Sequence, residues 1–250
     1  MMFRKNIDQL VLEVHPDRRS AGHAAGIAAA EKLKTILAEK DKARVIFAAA
    51  PSQNETLETL VSVSGIEWNK VTAFHMDEYI GLADDASERF SFYLQTHIFS
   101  KCPFAEIHLL SGNNPQHLCE EYARKLVAEP IDLICLGIGE NGHIAFNDPP
   151  VADFNDSQLV KIVELDLPCR QQQVHDACFP NLDAVPKQAV TLTIPALMSG
   201  GCLICTVSGQ RKGAAVRRMI SGNISTECPA TILRTHKNCT VFVDRDCYES

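Results

Sequence analysis

The chain has 250 residues, of which 46% are hydrophobic and 22% are charged. This composition is typical of a globular protein with a large core, and it excludes a disordered chain. The 24 Lys and Arg residues against 31 Asp and Glu residues give a net charge of −7. An acidic chain with no basic run argues against nucleic-acid binding, although a few basic groups in a cleft can still bind a small anion.

The length and the cysteine usage predict one domain, residues 1–250, in a cytoplasmic protein. No stretch approaches the roughly 18 apolar residues of a spanning helix, and the N-terminal residues lack the apolar core of a signal peptide. The ten cysteines lie mostly in apolar runs, which predicts reduced, buried thiols. Cys202 and Cys205 have CxxC spacing, but a strand would point them to opposite faces. We therefore expect no metal site and no membrane partner.

Apolar segments of strand length alternate with helical patterns along the chain, and we see no internal repeat or linker. In chain order, the predicted elements are strand 10–14, helix 21–40, strand 44–49, helix 53–63, strand 71–76, helix 88–99, strand 107–110, helix 115–127, strand 131–138, strand 159–165, an irregular stretch to residue 186, strand 189–194, strand 201–207, helix 212–221 and strand 239–243. Continuous apolar strands that alternate with helices predict an α/β fold with a largely parallel sheet covered by helices on both faces. Ligands bind beyond the carboxyl ends of such strands, so motifs that follow strands are the candidate site.

Two of these motifs are suited to an anion. After strand 44–49, Ser52, Gln53 and Asn54 lie where a helix is predicted to begin, so their side chains and the positive end of the helix dipole could face a phosphate. After strand 201–207, Arg211 and Lys212 could hold the same anion. Taken alone, the first segment is more often a capped connection and the second a solvated helix start.

A third motif places two acids directly after strand 71–76. Asp77 and Glu78 stand in the sequence Met-Asp-Glu-Tyr, and a partly desolvated carboxylate at a strand end is a candidate general base. The alternative is a solvated acidic turn. We expect His75, just before them, to face the core rather than to bind a metal.

A fourth motif is the glycine-rich segment 137–150, in which Gly139 allows close approach of the backbone to a substrate. His143 lies inside this segment, with Glu140, Asn141 and Asp148 nearby. A histidine held by a carboxylate can move protons near neutral pH. A dinucleotide-binding loop is a weaker interpretation because no helix obviously starts there, and a tight turn without function is the remaining alternative.

Together the motifs Met-Asp-Glu-Tyr, Gly-Ile-Gly-Glu-Asn-Gly-His-Ile-Ala-Phe-Asn-Asp-Pro and Gly-Gln-Arg-Lys resemble the glucosamine-6-phosphate deaminase/isomerase family, over about residues 45–244. The resemblance implies a Rossmann-like three-layer fold without an organic cofactor. It implies conversion of glucosamine 6-phosphate and water to fructose 6-phosphate and ammonia. It also implies that Asp77 moves a proton between C2 and C1, that His143 opens the sugar ring with the help of Asp148, and that Lys212 and residues 52–54 bind the phosphate.

Three positions depart from the family pattern. Asn141 stands where the family has Asp, and Asp148 stands where it has Glu. Asn141 can orient His143 by hydrogen bonding but cannot stabilise its cation by charge. The family's phosphate-binding Arg is absent near His175, so Arg170 or Arg211 would have to replace it.

These departures leave other functions open. The related 6-phosphogluconolactonases share the glycine-rich Gly-His loop, so a sugar-lactone hydrolase is one alternative. A deaminase for another amino sugar phosphate and a non-catalytic sugar-phosphate-binding protein are two more. The partner is expected to be a small sugar phosphate in each case, and a homo-oligomer is compatible with the sequence.

Overall fold

The computed structural model describes residues 1–112 and 114–250, which form one large and one small β-sheet. The large sheet has eight strands in the order β1-β2-β11-β10-β7-β3-β4-β6. Strand β1 is antiparallel to β2, and the other pairs are parallel. The strands are β1 Phe3–Ile7, β2 Leu10–His15, β3 Ala43–Phe47, β4 Val71–His75, β6 Glu106–His108, β7 Leu133–Leu136, β10 Leu203–Val207 and β11 Cys239–Asp244. The predicted α/β fold with a largely parallel sheet is confirmed.

Helices pack on both faces of this sheet, as the Rossmann-like three-layer prediction requires. They are α1 Arg18–Lys40, α2 Asn54–Ser62, α3 Phe90–Leu94, α4 Pro115–Val127, α5 Leu167–His175, α6 Ile194–Met198, α7 Gly213–Ser221 and α8 Arg245–Glu249. Leu33 of α1 and Leu57 of α2 belong to the core on one face, whereas Tyr122 of α4 and Met219 of α7 belong to the core on the other. None of the described helices is long and apolar enough to cross a membrane.

The small sheet is antiparallel and consists of β5 Asp77–Tyr79, β8 Val160–Glu164 and β9 Gln188–Leu192, in the order β5-β9-β8. It was not predicted as a separate sheet, because strand pairing between distant segments leaves no local pattern. The prediction of an irregular stretch before residue 186 was wrong, since α5 lies there. The predicted helix 88–99 begins as α3 and ends as a π-helical turn, Gln95–Phe99.

Two further expectations about side chains agree with the structure. Cys202 and Cys205 lie in the cores on opposite sides of the large sheet, as strand alternation requires. All ten cysteines are free thiols, and nine of them are buried. His75 is fully buried, and its Nε2 accepts a hydrogen bond from the backbone nitrogen of Leu110 at 2.7 Å. Burial lowers the pKa of His75 to about 4, which keeps the ring neutral.

Candidate active site

A pocket opens at the carboxyl ends of four neighbouring strands of the large sheet, β10, β7, β3 and β4. Each of these strands is followed by one of the four predicted motifs. Parallel strands end at the same edge of a sheet, so the motifs converge although they are far apart in sequence. The pocket is lined by Ser52 after β3, Asp77 after β4, Gly139 and His143 after β7, and Lys212 after β10. The structure thus brings together one or more residues from every motif.

The two adjacent acids after β4 have different surroundings. The carboxylate of Glu78 accepts hydrogen bonds from the backbone nitrogens of Tyr79, Phe90 and Ser91 at 2.9–3.0 Å, so it anchors the start of α3. Asp77 instead lines the pocket and is 6% exposed. Burial, and then the charge of Glu78, raises the pKa of Asp77 well above its ordinary value. A carboxylate with a raised pKa is a stronger base than one in water, and this is the property a proton carrier needs.

The glycine-rich loop holds the imidazole of His143 against a buried carboxylate. Nδ1 of His143 lies 2.8 Å from Oδ1 of Asp148, which is fully buried, so the shorter acid does reach the ring. Burial alone would raise the pKa of Asp148, but the charge and hydrogen bond of His143 and the amide of Asn141 hold it below its ordinary value. Asp148 therefore stays ionised, fixes the ring and leaves Nε2 as the reactive nitrogen.

Glycine is required at position 139 because the His143 ring occupies the space of a side chain. A Cβ placed on Gly139 would lie 2.3 Å from Nε2 and Cε1 of His143. The loop closes through hydrogen bonds from Gly139 N to His143 O and from Gly142 N to Gly139 O, and Gly142 has a φ of +92°. Gly139 therefore both lines the pocket and makes room for the ring.

Asn141 is hydrogen-bonded to His143, as the sequence predicts, and the bond is made to the backbone of that residue. Its Oδ1 accepts a hydrogen bond from the backbone nitrogen of His143 at 2.9 Å. Its Nδ2 donates to Oδ1 of Asp148 at 2.9 Å and approaches both oxygens of Asp166 at 3.3–3.4 Å. Asn141 and Asp148 thus stand behind His143 rather than among the residues that line the pocket.

Lys212 supplies the pocket with a buried positive charge. Its side chain lines the pocket, and the residue is 7% exposed. Burial lowers the pKa of Lys212, although the charges of Asp176 and Glu140 act in the opposite direction. Among the residues that the structure describes, its Nζ forms no hydrogen bond and no salt bridge. A buried ammonium without a partner is costly, and an anionic ligand would relieve this cost.

The second cation of the pocket is Arg18, which the sequence did not single out. Arg18 is the first residue of α1, and its Nε forms an ion pair with Oε1 of Glu55 at 2.8 Å. Its Nη2 donates to the carbonyl of Pro51, so the guanidinium adjoins the backbone before α2. Neither Arg170 nor Arg211 lines the pocket. Arg170 donates to backbone carbonyls of residues 182 and 185, and Arg211 donates to that of residue 175, so both guanidinium groups have partners outside the pocket, and a role of either in phosphate binding stays a prediction.

The side chains of Gln53 and Asn54 have internal partners and do not line the pocket, so their role as phosphate donors stays a prediction. Nε2 of Gln53 donates to the carbonyl of Leu136 at 3.2 Å, and the residue is 1% exposed. Oδ1 of Asn54 accepts from the Tyr93 hydroxyl at 2.6 Å. Only Ser52 of this motif remains beside Lys212 and Arg18 in the pocket.

Helix α5 forms a wall of the pocket that the sequence reasoning missed. Gln172, Gln173 and the following Asp176 line the pocket. Oε1 of Gln172 accepts from the backbone nitrogen of Glu140 at 2.7 Å, which ties α5 to the glycine-rich loop. The polar Gln-rich sequence hid this helix. The pair Asp166-Leu-Pro168 was a usable signal, since Asp is a common N-cap and Pro is favoured in the first turn.

The thiol of Cys169 joins His143 and Asp148 in a cluster whose donor atoms lie within 4.8 Å of one another. A nitrogen, an oxygen and a sulfur are donors that zinc accepts. Burial, and then the charge of Asp148, raises the pKa of the Cys169 thiol well above its ordinary value. A protonated thiol can donate a hydrogen bond to the ionised carboxylate of Asp148.

The fold and the pocket define an α/β protein whose acid–base groups and cations meet at the carboxyl edge of a parallel sheet. Comparison with known proteins identifies the family more closely. The chain belongs to the glucosamine-6-phosphate isomerase/6-phosphogluconolactonase family, whose model matches residues 16–242.

Named relatives and solved structures agree with this membership. A glucosamine-6-phosphate deaminase of Enterococcus faecalis is 30% identical over 204 residues, covering 81% of this chain and 85% of that protein. A glucosamine-6-phosphate deaminase of Bacillus cereus is 34% identical over 183 residues, covering 72% and 68%. The structure of a monomeric glucosamine-6-phosphate deaminase superposes with a TM-score of 0.86 at 28% identity, over 95% of this chain and 98% of that one. The fold is shared with a 6-phosphogluconolactonase of Thermotoga maritima. That structure superposes with a TM-score of 0.77 at 21% identity, over 94% of this chain and 100% of that one.

Proposed function

We propose that this single-domain protein is a deaminating aldose–ketose isomerase that converts glucosamine 6-phosphate and water to fructose 6-phosphate and ammonia. The observation that carries the proposal is the grouping, in one pocket, of a strengthened carboxylate base, a carboxylate-held histidine and a buried, unpaired lysine. This set matches the three tasks of the reaction, which are proton transfer at carbon, ring opening and phosphate binding. Relatives named for this activity, at about a third identity, support it.

Lys212, Arg18 and the Ser52 hydroxyl would bind the phosphate. Both cations and the hydroxyl line the pocket; Lys212 follows β10, and the guanidinium of Arg18 adjoins the backbone of Pro51 before α2. A dianionic phosphate would supply the negative charge that buried Lys212 lacks. Its binding energy would hold the sugar so that the other end lies near Asp77 and His143.

His143 would open the ring of the bound sugar. Opening a pyranose requires the O1 proton to leave and a proton to reach the ring oxygen O5. One imidazole nitrogen can perform both transfers while Asp148 holds the other nitrogen. The products of this step are a free aldehyde at C1 and a hydroxyl at C5.

Asp77 would then carry the carbon-bound proton. It removes the proton from C2, and the electrons of that bond form a C1–C2 double bond. The electrons displaced from the C1 carbonyl go to O1, which takes up a proton released by the C2 ammonium group. Returning the proton to C1 leaves a carbon–nitrogen double bond at C2. Water adds to that bond and ammonia leaves, which gives the ketose. The raised pKa of Asp77 suits this role, because the group must accept and return the same proton.

The test is a product assay on the purified protein with glucosamine 6-phosphate, galactosamine 6-phosphate and 6-phosphogluconolactone. Ammonia and ketose phosphate are measured from the amino sugars, and acid release from the lactone. We expect equal amounts of ammonia and fructose 6-phosphate from glucosamine 6-phosphate, and no ammonia from the Asp77→Asn variant. Rapid lactone hydrolysis without ammonia release would overturn the proposal in favour of a lactonase.

A further inference from the structure

The amide of Asn141 lies between two carboxylates, one on each side. Nδ2 donates to Oδ1 of Asp148 at 2.9 Å and approaches the oxygens of Asp166 at 3.3 and 3.4 Å. The amide has two N–H groups on Nδ2, so it can donate to both acids at once. Asp166 is 25 residues further along the chain than Asn141, and it belongs to none of the four motifs that gave the candidate site.

The two carboxylates determine which end of the Asn141 amide faces them. If the amide were reversed, its Oδ1 would face two negative oxygens, which is unfavourable. In the observed orientation Oδ1 is free to accept from the backbone nitrogen of His143 at 2.9 Å. The amide therefore holds the backbone of His143 and the carboxylate of Asp148 at the same time, and these are the two groups that place the imidazole.

Asp166 is itself fixed by helix α5. It is the N-cap of that helix, and its Oδ1 accepts from the backbone nitrogen of Cys169 at 2.8 Å. The glycine-rich loop is tied to α5 at a second point, where Glu140 N donates to Gln172 at 2.7 Å. A rigid helix thus anchors the loop that carries His143.

We propose that Asp166 is a positioning residue that acts through Asn141 on the Asp148–His143 pair, and that an amide is needed at position 141 because Asp166 is there. The role rests on the proposed function and names a further residue of the same site. A carboxylate at 141 would lose both donated hydrogen bonds and would place a third negative charge between two others.

The charged and titratable groups that face this cluster are His143, Asp148, Cys169 and, from β5, Asp77. Burial, and then the charge of Asp148, raises the pKa of Asp166. Asp148 and Asp166 thus already repel each other, and a negative group at 141 would add to this repulsion. The protonation of Asp148 would then occur at higher pH, which moves the acidic limb of the kcat profile upward.

Four proteins form the test: the wild type, Asn141→Asp, Asp166→Asn and the double variant. Asn at 166 can still cap α5 with its oxygen and can donate to a carboxylate at 141, so the double variant restores an amide–carboxylate pair with its direction reversed. We expect Asn141→Asp to lower kcat at least about tenfold with little change in KM, and Asp166→Asn to lower kcat less than about threefold. The kcat of the double variant should be at least about fivefold higher than that of Asn141→Asp. The acidic limb should move to higher pH in Asn141→Asp and back in the double variant. Asp183→Asn, at an exposed aspartate, is the control and should match the wild type.

If the effects of the two single substitutions on kcat simply multiply in the double variant, or if the loss appears in KM alone, the positioning role is overturned. Ammonia release by the wild type would still uphold the proposed function in that case. The thermal unfolding temperatures of the four proteins at pH 7, measured without substrate, test the link independently of activity. We expect the double variant to melt above Asn141→Asp. If the wild type releases no ammonia, the proposed function fails, and the melting temperatures alone decide the coupling: equal values overturn it.

Discussion

Replacing Lys212 with methionine tests the anion site, because the structure predicts two effects of opposite sign. Burial lowers the pKa of Lys212 below its ordinary value, so the fold disfavours the charged form. The charge of Lys212 therefore costs stability at every pH below the lowered pKa of the folded protein. This cost disappears as the pH rises toward the pKa that the lysine has in the unfolded chain. Methionine keeps most of the side-chain volume without the charge. We expect Lys212→Met to raise the unfolding temperature of the ligand-free protein at pH 7.

The same substitution should weaken binding of phosphorylated sugars. A hydrogen bond to a charged group contributes about 1.5–3 kcal/mol, so losing one contact raises KM by a factor of about 10–150. The change in kcat should be smaller, since the phosphate does not react and its contact is the same in the ground and transition states.

Thermal unfolding with and without inorganic phosphate measures both effects. A free ligand at about 100 times its Kd stabilises a protein by about 2.7 kcal/mol, which corresponds to a rise of about 5–11 °C for a chain of this size. The wild type and the exposed control Lys101→Met should show this rise, and Lys212→Met should show far less. The reasoning is refuted if Lys212→Met is destabilised without ligand and still responds to phosphate as the wild type does.

Three further substitutions test the acid–base groups. Asp77→Asn should lower kcat by at least about a hundredfold, since it removes the base, while substrate binding stays near that of the wild type. The pKa of Asp77 is higher in the folded protein than in the unfolded chain, so its negative charge costs stability above the unfolded pKa. The same variant should therefore melt higher at pH 7, and this gain should vanish near pH ~4. Near-normal turnover by Asp77→Asn would refute the assignment of the base. His143→Gln should reduce turnover of the cyclic sugar by roughly 10²–10⁴-fold but that of an open-chain analogue far less, and equal losses on both substrates would contradict the ring-opening role. Gly139→Ala should lower kcat, because its Cβ would lie 2.3 Å from ring atoms of His143 and would displace the ring. If Gly139→Ala also lowers kcat in a His143→Gln background, displacement of the ring is not the cause.

The convergence of the site could be predicted from the sequence because parallel strands end at one edge. The continuous apolar runs around Val45, Ala73, Ile134 and Cys205 marked four strands, and each is followed by polar or glycine-rich residues. That these four strands are neighbours, in the order β10, β7, β3, β4, is set by long-range packing and has no local signature. The pattern therefore predicted which edge of the sheet holds the site, but not the order in which the four motifs lie along that edge.

The contacts that the sequence did not reveal share a physical cause. Arg18 reaches the pocket only because the start of α1 adjoins the backbone before α2, and that packing is a tertiary contact. Gln53 and Asn54 looked like free donors, but buried carbonyl and hydroxyl groups compete for them. Asp166 and the wall formed by α5 lay in a segment with weak hydrophobic periodicity. Local patterns indicate which groups are polar, whereas their partners depend on the folded neighbourhood.

Strand β9 explains how the base and the histidine, 66 positions apart, are held in one frame. Asp77 on β5 lies opposite Thr191 of β9, and the backbone of Leu192 donates to Met76 O at 2.7 Å. On the other side, Oγ1 of Thr191 accepts from the backbone nitrogen of Phe146 at 3.0 Å, just after His143. Nδ2 of Asn147 also donates to the carbonyl of Leu192 at 2.8 Å, so both segments are held by the same two residues of β9. A carbon-to-carbon proton transfer and a ring opening require groups at fixed separations around one sugar, and a common strand fixes that separation better than two independent loops.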